Sequence, residues 1–140
     1  MTEQVQKHAA AGFLYDSKHK AVLLHLRDGN TKINPNKWAF FTGLAEWDET
    51  HIETFRREIH EEIGILLPLE CINEFDVYVN EEHNTIRHVF VAEYYVPLSL
   101  LTLGEGAGFD WVPLNKVFEL DLTEKTERDL KKFIQAIHSQ

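Results

Sequence analysis

The sequence predicts an α/β fold in a single domain. The chain has 140 residues, the usual length of one globular domain, and 44% hydrophobic with 26% charged residues is typical of a folded protein. Apolar segments rich in β-branched and aromatic residues occupy the first two thirds of the chain, with one amphipathic helix pattern between them and another after them. This order of strands and helices indicates an α/β domain over residues 1–140.

Five segments have the composition of strands. In chain order they are His8–Tyr15, Ala21–Leu26, the aromatic stretch Trp38–Phe41, Cys71–Val79 and Thr85–Val96. The first two are separated by the turn-forming cluster Asp16-Ser17-Lys18, which predicts a hairpin. The three glycines between Gly104 and Gly108 are expected to interrupt any regular element. Trp38 and Phe40 alternate in the third segment and are expected to lie in the core.

Two helices are predicted from capping and periodicity. Thr50 is a favourable N-cap with Glu53 three residues later, which together predict a capping box, and Gly64 stands at the stop position. Asp121 and Glu124 form a second pair of this kind. Apolar residues recur at helical spacing after both starts, at Ile52, Phe55, Ile59 and Ile63 in the first helix and at Leu130, Phe133, Ile134 and Ile137 in the second.

The charge balance excludes one class of function. The chain has 14 Lys and Arg residues against 23 Asp and Glu residues, a formal net charge of −9. Affinity for a nucleic-acid polymer comes largely from basic side chains that displace counterions, so such a polymer is not an expected partner. The acidic excess predicts either a solvating surface or a concentrated cation site, and the position of the carboxylates decides between them.

Membrane and disulfide chemistry are also disfavoured. The longest apolar runs are far shorter than a membrane span, and the first residues lack the basic start and apolar stretch of a secretory signal. Cys71 is the only cysteine, so no internal disulfide or thiolate metal cluster is expected, and we predict a small buried hydrophobe at this position. We therefore expect a cytoplasmic protein.

Acidic residues are concentrated between Gly43 and Ile65. This stretch of 23 residues contains seven acidic and two basic side chains, which is −5 of the total −9. Glu58, Glu61 and Glu62 are neighbours on one face of the predicted helix, separate from its apolar stripe, and their mutual repulsion destabilises an isolated helix. A divalent cation would remove that penalty, and carboxylate oxygens favour Mg²⁺ or Mn²⁺.

The spacing of these residues resembles the Nudix box. The fixed positions of that pattern are filled by Gly43, Glu49, Arg57-Glu58, Ile59, Glu61-Glu62, Gly64 and Ile65. The chain thus resembles the Nudix hydrolases, including MutT-like members, which cleave nucleoside diphosphates linked to another moiety. The resemblance implies the Nudix fold, an α/β/α sandwich with a central mixed β-sheet, over nearly the whole chain.

The resemblance also implies roles for individual residues. Glu61 and Glu62 would hold the metal together with the carbonyl of Gly43, while Glu58 would be both a ligand and the leading candidate for the general base. Glu49 and Arg57 would form an ion pair that orients the helix and its loop. These three residues, Glu58, Arg57 and Glu49, are the predicted catalytic set.

Further site residues are carried by looser similarities. Glu105, in the Glu105-Gly106 pair before Trp111, resembles a loop carboxylate that supplies a distal metal ligand in some members. Arg27 stands where the family often has an arginine that reaches substrate phosphates. Glu81 and Glu82 could equally provide the base or an extra ligand.

The histidines do not suggest a site by their spacing. None of the eight follows the HExxH pattern, so zinc is not expected. His51, at the start of the first helix, is expected to be an exposed polar residue.

The predicted function is Mg²⁺-dependent hydrolysis, with Mn²⁺ as an alternative ion, of the diphosphate linkage in a nucleoside diphosphate derivative. The candidate substrates are canonical or oxidised nucleoside triphosphates, nucleotide sugars and dinucleotides. The alternative is a non-catalytic regulatory domain that binds a nucleotide on the same fold. Isomerisation of a prenyl diphosphate is less favoured because it calls for a catalytic cysteine in the site, and Cys71 lies beyond the box helix. A homodimer is compatible with the family.

Overall fold

The computed structural model describes residues 6–104 and 106–139. It contains seven strands and two α-helices in this part of the chain. In order they are β1 (Lys7–Asp16), β2 (Ala21–Leu26), β3 (Trp38–Ala39), β4 (Phe41–Leu44), α1 (His51–Ile63), β5 (Ile72–Asn80), β6 (Thr85–Glu93), β7 (Gly108–Pro113) and α2 (Glu124–His138). Neither helix in the described residues is long and apolar enough to cross a membrane.

The strands form one mixed sheet around β1. The main path runs β3-β2-β1-β6-β5, while β4 pairs with β1 and β7 pairs with β2. The β1–β6 pair is parallel and runs from Lys7 opposite Thr85 to Tyr15 opposite Glu93, whereas the other pairs are antiparallel. The predicted hairpin of β1 and β2 and the predicted mixed sheet are therefore confirmed.

The two helices cover opposite faces of the sheet. Successive side chains of a strand point to opposite faces, and β1 places Ala10 and Leu14 in one core cluster and Phe13 in another. The first cluster includes the buried stripe of α1, and the second includes Leu130 and Phe133 of α2. This is the α/β/α sandwich that the resemblance implied, and Phe40 lies in its core as expected.

The predicted ends of α1 agree with the structure. Thr50 is the N-cap, its side chain accepts from the Glu53 backbone, and the Glu53 side chain accepts in return from the Thr50 N–H. Gly64 ends the helix with φ of 78°, a left-handed conformation that favours glycine. These local signals place α1 at a fixed position in the chain.

The predicted start of α2 at Asp121 is wrong. Its N-cap is Thr123, whose hydroxyl accepts from the Thr126 N–H and donates to the Thr126 hydroxyl at 2.8 Å. Asp121 instead accepts from the Trp38 N–H through its carbonyl and lies 3.6 Å from the Lys37 ammonium. A parallel bridge between Trp38 and Leu122 pairs this segment with β3, so the helix begins only at Glu124.

The second half of the sheet also differs in detail from expectation. β6 ends at Glu93 rather than Val96, and the glycine-rich segment is followed directly by β7, which begins at Gly108 and pairs with β2. β7 buries only Val112, so it lacks the apolar alternation that would mark it in the sequence. Cys71 is half-buried against the core, and its thiol donates to the Pro68 carbonyl.

Candidate active site

The candidate site begins where β4 passes beside α1. Gly43 lies opposite Ala10 in the sheet, and the Glu58 side chain lies directly against it. A Cβ atom at Gly43 would overlap the Glu58 carboxylate, so a side chain here would displace Glu58 from this position. The fixed glycine of the motif thus makes room for the carboxylate that follows it fifteen residues later.

Glu58 is largely buried, with 12% of its side chain exposed. Burial raises the pKa of its carboxyl to about 7, and the charges of Glu61 and Glu62 add to this effect, while Arg57 opposes it. A carboxyl with this pKa exchanges a proton readily near neutral pH. This property is typical of catalytic carboxyls.

Arg57 connects the loop before α1 to the carboxylates on it. Its Nε and Nη2 donate to the two oxygens of Glu49 at 2.7 and 3.0 Å, which is a bidentate pair. Its Nη1 donates to Glu58 at 3.0 Å and to Glu61 at 3.3 Å, and Nη2 also donates to the Leu44 carbonyl. One guanidinium therefore holds β4, the following loop and two glutamates in a fixed arrangement.

Glu49 is tied to this arrangement more closely than an ordinary surface glutamate. The hydrogen bonds from Arg57 lower the pKa of its carboxyl to about 2, and further bonds from the Glu46 N–H and the Thr54 hydroxyl act in the same direction. The same contacts raise the pKa of Arg57, so its guanidinium stays charged. The ion pair implied by the resemblance is present.

Glu62 lies at the inner edge of the site and is only 8% exposed. Its Oε2 is 3.3 Å from Nε2 of His25, a residue of β2 whose ring stacks on Phe41. Of the three glutamates expected together on one face, only Glu61 is exposed. The expectation that they lie apart from the packed face is wrong for Glu58 and Glu62, since β4 and β2 cover them.

His25 is a site residue that the sequence did not reveal. It lies within the apolar run of β2, where a single histidine is usually a packed core residue. Only the pairing of β2 across the sheet places it next to Glu62, so a sequence signal for it is lacking.

The loop after Thr102 approaches the same end of α1. The Gly104 N–H donates to the Glu62 carbonyl at 2.7 Å, and a Cβ at Gly104 would overlap the backbone of Glu61. Gly106 has φ of 87° and lies against His25. Both neighbours of Glu105 therefore adjoin the glutamate cluster, while Glu105 itself lies outside the described residues.

Arg27 follows β2 and borders a hollow that His25 also lines. Its guanidinium donates to the Ile33 carbonyl and to the Thr31 hydroxyl, each at 3.1 Å, so the loop holds it in place. Arg27 also lines a second cavity of about 380 Å³ on the α2 face of the sheet.

The second cavity combines apolar and polar walls. Its lining includes Ala9, Thr42, Asn80, Glu82 and Arg87. Thr42 and Leu44 flank Gly43 on β4, so the cavity and the glutamate cluster use opposite faces of the same strand. Glu81 lies in the short helical turn Glu81–His83 beside it.

The comparison with protein families identifies the chain. The sequence model described as NUDIX domain matches residues 5–137. The chain belongs to the Nudix family. No curated protein is a significant sequence match to it.

Solved structures show the same fold at low sequence identity. The MutT structure described for the fish pathogen Aliivibrio salmonicida and for Vibrio cholerae is 19% identical, with a TM-score of 0.76 over 93% of this chain and 98% of that one. The Nudix domain of Shewanella oneidensis NrtR, complexed with ADP ribose, is 16% identical, with a TM-score of 0.75 over 98% and 90%.

A bifunctional NMN adenylyltransferase/ADP ribose pyrophosphatase from Francisella tularensis, complexed with AMP and a Mn ion, is 19% identical, with a TM-score of 0.75 over 97% of this chain and 43% of that one. At these identities the likenesses show the Nudix fold alone.

The Nudix domain also brings together residues that its motif does not include. His51 is partly buried and stacks on His88 with 3.6 Å between ring centroids, so the expectation of an exposed polar residue is wrong. Burial lowers the pKa of the His51 imidazole, and the neighbouring His88 and His8 act in the same direction. The parallel pairing of β1 with β6 brings two of these histidines together, which spacing along the chain cannot indicate.

Proposed function

We propose that this Nudix domain hydrolyses the diphosphate linkage of a small nucleoside diphosphate derivative with a divalent cation. The observation that carries this proposal is the cluster in which Glu58, Glu61 and Glu49 share one arginine while Glu62 adjoins them. Such an excess of carboxylates is costly in a structural ion-pair network, but it suits a site that binds a cation.

The donor set fits Mg²⁺, with Mn²⁺ as an alternative. Glu58, Glu61, Glu62 and the carbonyl of Gly43 would hold the ion, and Glu105 is proposed as a further ligand from the adjoining loop. All of these ligand atoms are oxygens, which hard cations prefer. When bound, the ion neutralises phosphate charge and increases the acidity of water.

The protein side chains have distinct proposed roles. Glu58 accepts a proton at its carboxylate, which Arg57 holds in place with a hydrogen bond of 3.0 Å. Arg57 acts as a positioning residue because it fixes Glu58 and Glu61 relative to the loop that Glu49 anchors. Arg27 is proposed to contact substrate phosphates from the edge of the hollow that it shares with His25.

A small nucleotide is the proposed substrate class. The cavity of about 380 Å³ has the volume of a site for a small molecule. Polar and charged residues make up most of its lining and leave Ala9, Ile33, Ala39 and Leu44 as its apolar part, which suits a polar ligand such as a nucleotide. The NrtR domain is complexed with ADP ribose and the Francisella tularensis protein with AMP and Mn, which supports a nucleotide here. Nucleoside triphosphates, oxidised nucleoside triphosphates and nucleotide sugars remain the proposed members of the class.

We also propose a single Nudix domain over residues 1–140 with a cytoplasmic location. Assembly as a homodimer stays a prediction, which light scattering from the purified chain would test.

To test this proposal, the purified chain is incubated with Mg²⁺ and a panel of nucleotides and nucleotide sugars. The products are then identified by mass spectrometry. We expect cleavage of a phosphoanhydride bond that stops when the cation is chelated. Glu62→Gln should abolish turnover, whereas Glu70→Gln, which changes an exposed glutamate away from the site, should retain it. Tight binding of a nucleotide without any product over hours would overturn hydrolysis in favour of a nucleotide-binding regulatory domain.

A further inference from the structure

Three imidazoles from three different elements meet at one end of the sheet. His8 lies near the start of β1, His51 is the first residue of α1, and His88 lies in β6. Ligand nitrogens of the three rings all lie within 4.8 Å of one another. Two of the rings are half-buried and that of His88 is 7% exposed, so the cluster is partly shielded from water.

The strand register explains why these histidines converge. In the parallel β1–β6 pair, His8 lies opposite Ile86 and Ala10 lies opposite His88, so the two histidines are diagonal neighbours on one face. That face is the one covered by α1, because Ala10 belongs to the core cluster of this helix. The Ala45 N–H donates to the His8 carbonyl, which anchors the loop that leads to α1.

His88 is oriented by a carboxylate. Its Nδ1 lies 2.8 Å from Oε1 of Glu74 in β5, and its Nε2 lies 2.9 Å from Nδ1 of His8. A hydrogen bond from Nδ1 to the carboxylate leaves Nε2 as the nitrogen with a free lone pair. Metal-binding histidines commonly donate their other ring nitrogen to a carboxylate, which fixes the ring and increases its basicity.

We propose that His8, His51 and His88 bind a divalent transition-metal ion of the zinc type, with Glu74 positioning His88. Imidazole nitrogen is a preferred ligand of Zn²⁺, Cu²⁺ and Ni²⁺, whereas it is a poor one for Mg²⁺. The ion takes the place of the hydrogen bond between His8 and His88. Tetrahedral zinc with bonds of about 2.0 Å separates its ligand nitrogens by roughly 3.3 Å, which lies within the 4.8 Å that encloses these nitrogens. Because the His51 ring stacks on those of His8 and His88, binding turns the ring planes so that their nitrogen lone pairs point at the ion. Water completes the coordination.

This nitrogen site differs chemically from the glutamate site of the proposed function. His51 and Glu58 are seven residues apart in α1, which corresponds to about 10 Å along the helix. The glutamates present only oxygens and the histidines only nitrogens, so the two sites select different ions. The proposed role of this ion is structural, since it would join β1, β6 and the start of α1. The histidine site can therefore exist whether or not the glutamate site is catalytic.

The experiment uses the full chain without a histidine tag, stripped of metal with a chelator. Zn²⁺ is titrated by calorimetry in excess Mg²⁺, which occupies the oxygen ligands, and Co²⁺ is followed by the visible absorption of tetrahedral coordination. We expect one Zn²⁺ per chain and a rise in Tm on binding, because an ion that binds only the folded state stabilises it.

Variants of the less buried histidines assign the site. His8→Gln and His51→Gln should each lose the Zn²⁺ affinity and the rise in Tm, whereas His60→Gln, at an exposed position of the same helix, should keep both. Glu74→Ala should weaken binding by roughly 10- to 100-fold, the usual effect of removing a partner of a metal ligand. Circular dichroism of each metal-free variant establishes that it is folded.

Three outcomes would overturn the proposal. The first is that the folded wild-type chain binds no Zn²⁺. The second is that His51→Gln and His8→Gln bind Zn²⁺ as tightly as wild type. The third is that Glu61→Gln loses the Zn²⁺ that wild type binds. The first two mean that the rings only pack and hydrogen-bond, and the third means that the ion occupies the glutamates. Each result is independent of nucleotide hydrolysis, so failure of the proposed function leaves this test intact.

Discussion

Two clusters of arginine and carboxylate lie on opposite faces of the sheet, and they differ in charge balance. On the α2 face, Arg87 of β6 donates to Asp129 of α2 at 3.0 Å, and the Tyr78 hydroxyl donates to both oxygens of the same carboxylate. Arg87 and Asp129 form a one-to-one ion pair there, with side chains that are 9% and 1% exposed, and Arg128 lies over the Tyr78 ring beside them. This pair is neutral as a whole.

On the α1 face, Arg57 faces three carboxylates, those of Glu49, Glu58 and Glu61, and Glu62 lies beside them. In the balanced pair, each buried charge has an opposite charge and hydrogen bonds that offset its loss of hydration. The second cluster keeps an excess of negative charge. Burial raises the pKa of Asp129 against the opposing effect of Arg87, and it raises that of Glu58 as well. Burial is therefore common to both clusters, and the uncompensated charge distinguishes the candidate site.

The largest expected effect is on catalysis. Glu58→Gln keeps the shape of the side chain and an oxygen for Arg57 but removes the proton acceptor. If Glu58 is the general base, kcat should fall roughly 10²- to 10⁴-fold. Steady-state kinetics on the best substrate of the panel would measure this. An unchanged kcat would move the base to another carboxylate, and Glu70→Gln serves as the matched control.

Breaking the balanced pair of Arg87 and Asp129 should lower the free energy of unfolding. Asp129→Ala leaves the Arg87 charge buried and the Tyr78 hydroxyl without its acceptor, so we expect a loss of about 3 to 5 kcal/mol in the free energy of unfolding. Urea denaturation would measure this loss. Asp129→Asn, which keeps an acceptor for Tyr78, should cost less than Asp129→Ala. Equal costs would mean that the charge alone carries the effect, and a loss below about 1 kcal/mol would contradict a structural role for the pair.

In the unbalanced cluster, removing the charge of Glu58 should increase the free energy of unfolding of the metal-free protein. This effect is opposite in sign to the loss expected at Asp129. The pKa of Glu58 is about 7 in the folded state against 4.5 for a free glutamate, so ionisation of its carboxyl destabilises the fold. This cost is absent below pH 4.5 and fully present above pH 7. Glu58→Gln should therefore stabilise the metal-free protein at pH 8 by roughly 1 to 3 kcal/mol.

Denaturation with and without Mg²⁺ tests this reasoning further. Mg²⁺ should stabilise wild type at pH 8 more than it stabilises Glu58→Gln, because the cation offsets the charge that the variant lacks. A metal-free variant less stable than wild type would show that Glu58 contributes to folding as Asp129 does, and the contrast between the clusters would fail.

Local rules were enough to predict α1 and the identity of its glutamates. The capping box of Thr50 and Glu53, the apolar stripe and Gly64 act over a few residues, so the sequence carries them directly. The burial of Glu58 depends on β4 passing alongside the helix, which helical spacing alone does not indicate.

Long-range pairing accounts for most of what the sequence did not predict. His8 and His88 are 80 residues apart and meet only through the parallel register of β1 and β6. His25 reaches Glu62 because β2 lies across the sheet, and β7 escaped prediction because it buries a single side chain. Thr123 caps α2 because Trp38 holds the preceding segment in extended backbone.

The smallest expected effect concerns Glu49, which forms a balanced pair with Arg57 inside the unbalanced cluster. Hydrogen bonds from Arg57 lower the pKa of Glu49 from 4.5 to about 2. A lowered pKa means that the stabilisation is fully present above pH 4.5 and is lost as the pH falls toward 2. Because Arg57 remains 25% exposed, solvent screens the pair, and we expect a contribution of about 1 kcal/mol or less.

Glu49→Gln tests whether this pair behaves like Arg87 and Asp129 on a smaller scale. The variant should be less stable than wild type at pH 7, and the difference in free energy of unfolding should shrink between pH 4.5 and 2. Glu70→Gln should show no such dependence on pH. A difference of the same size at pH 7 and near pH 2 would mean that Glu49 acts through uncharged hydrogen bonds to Thr54 and the loop. In that case the charge of Arg57 would act mainly on Glu58 and Glu61, and the comparison with Arg87 and Asp129 would not extend to Glu49.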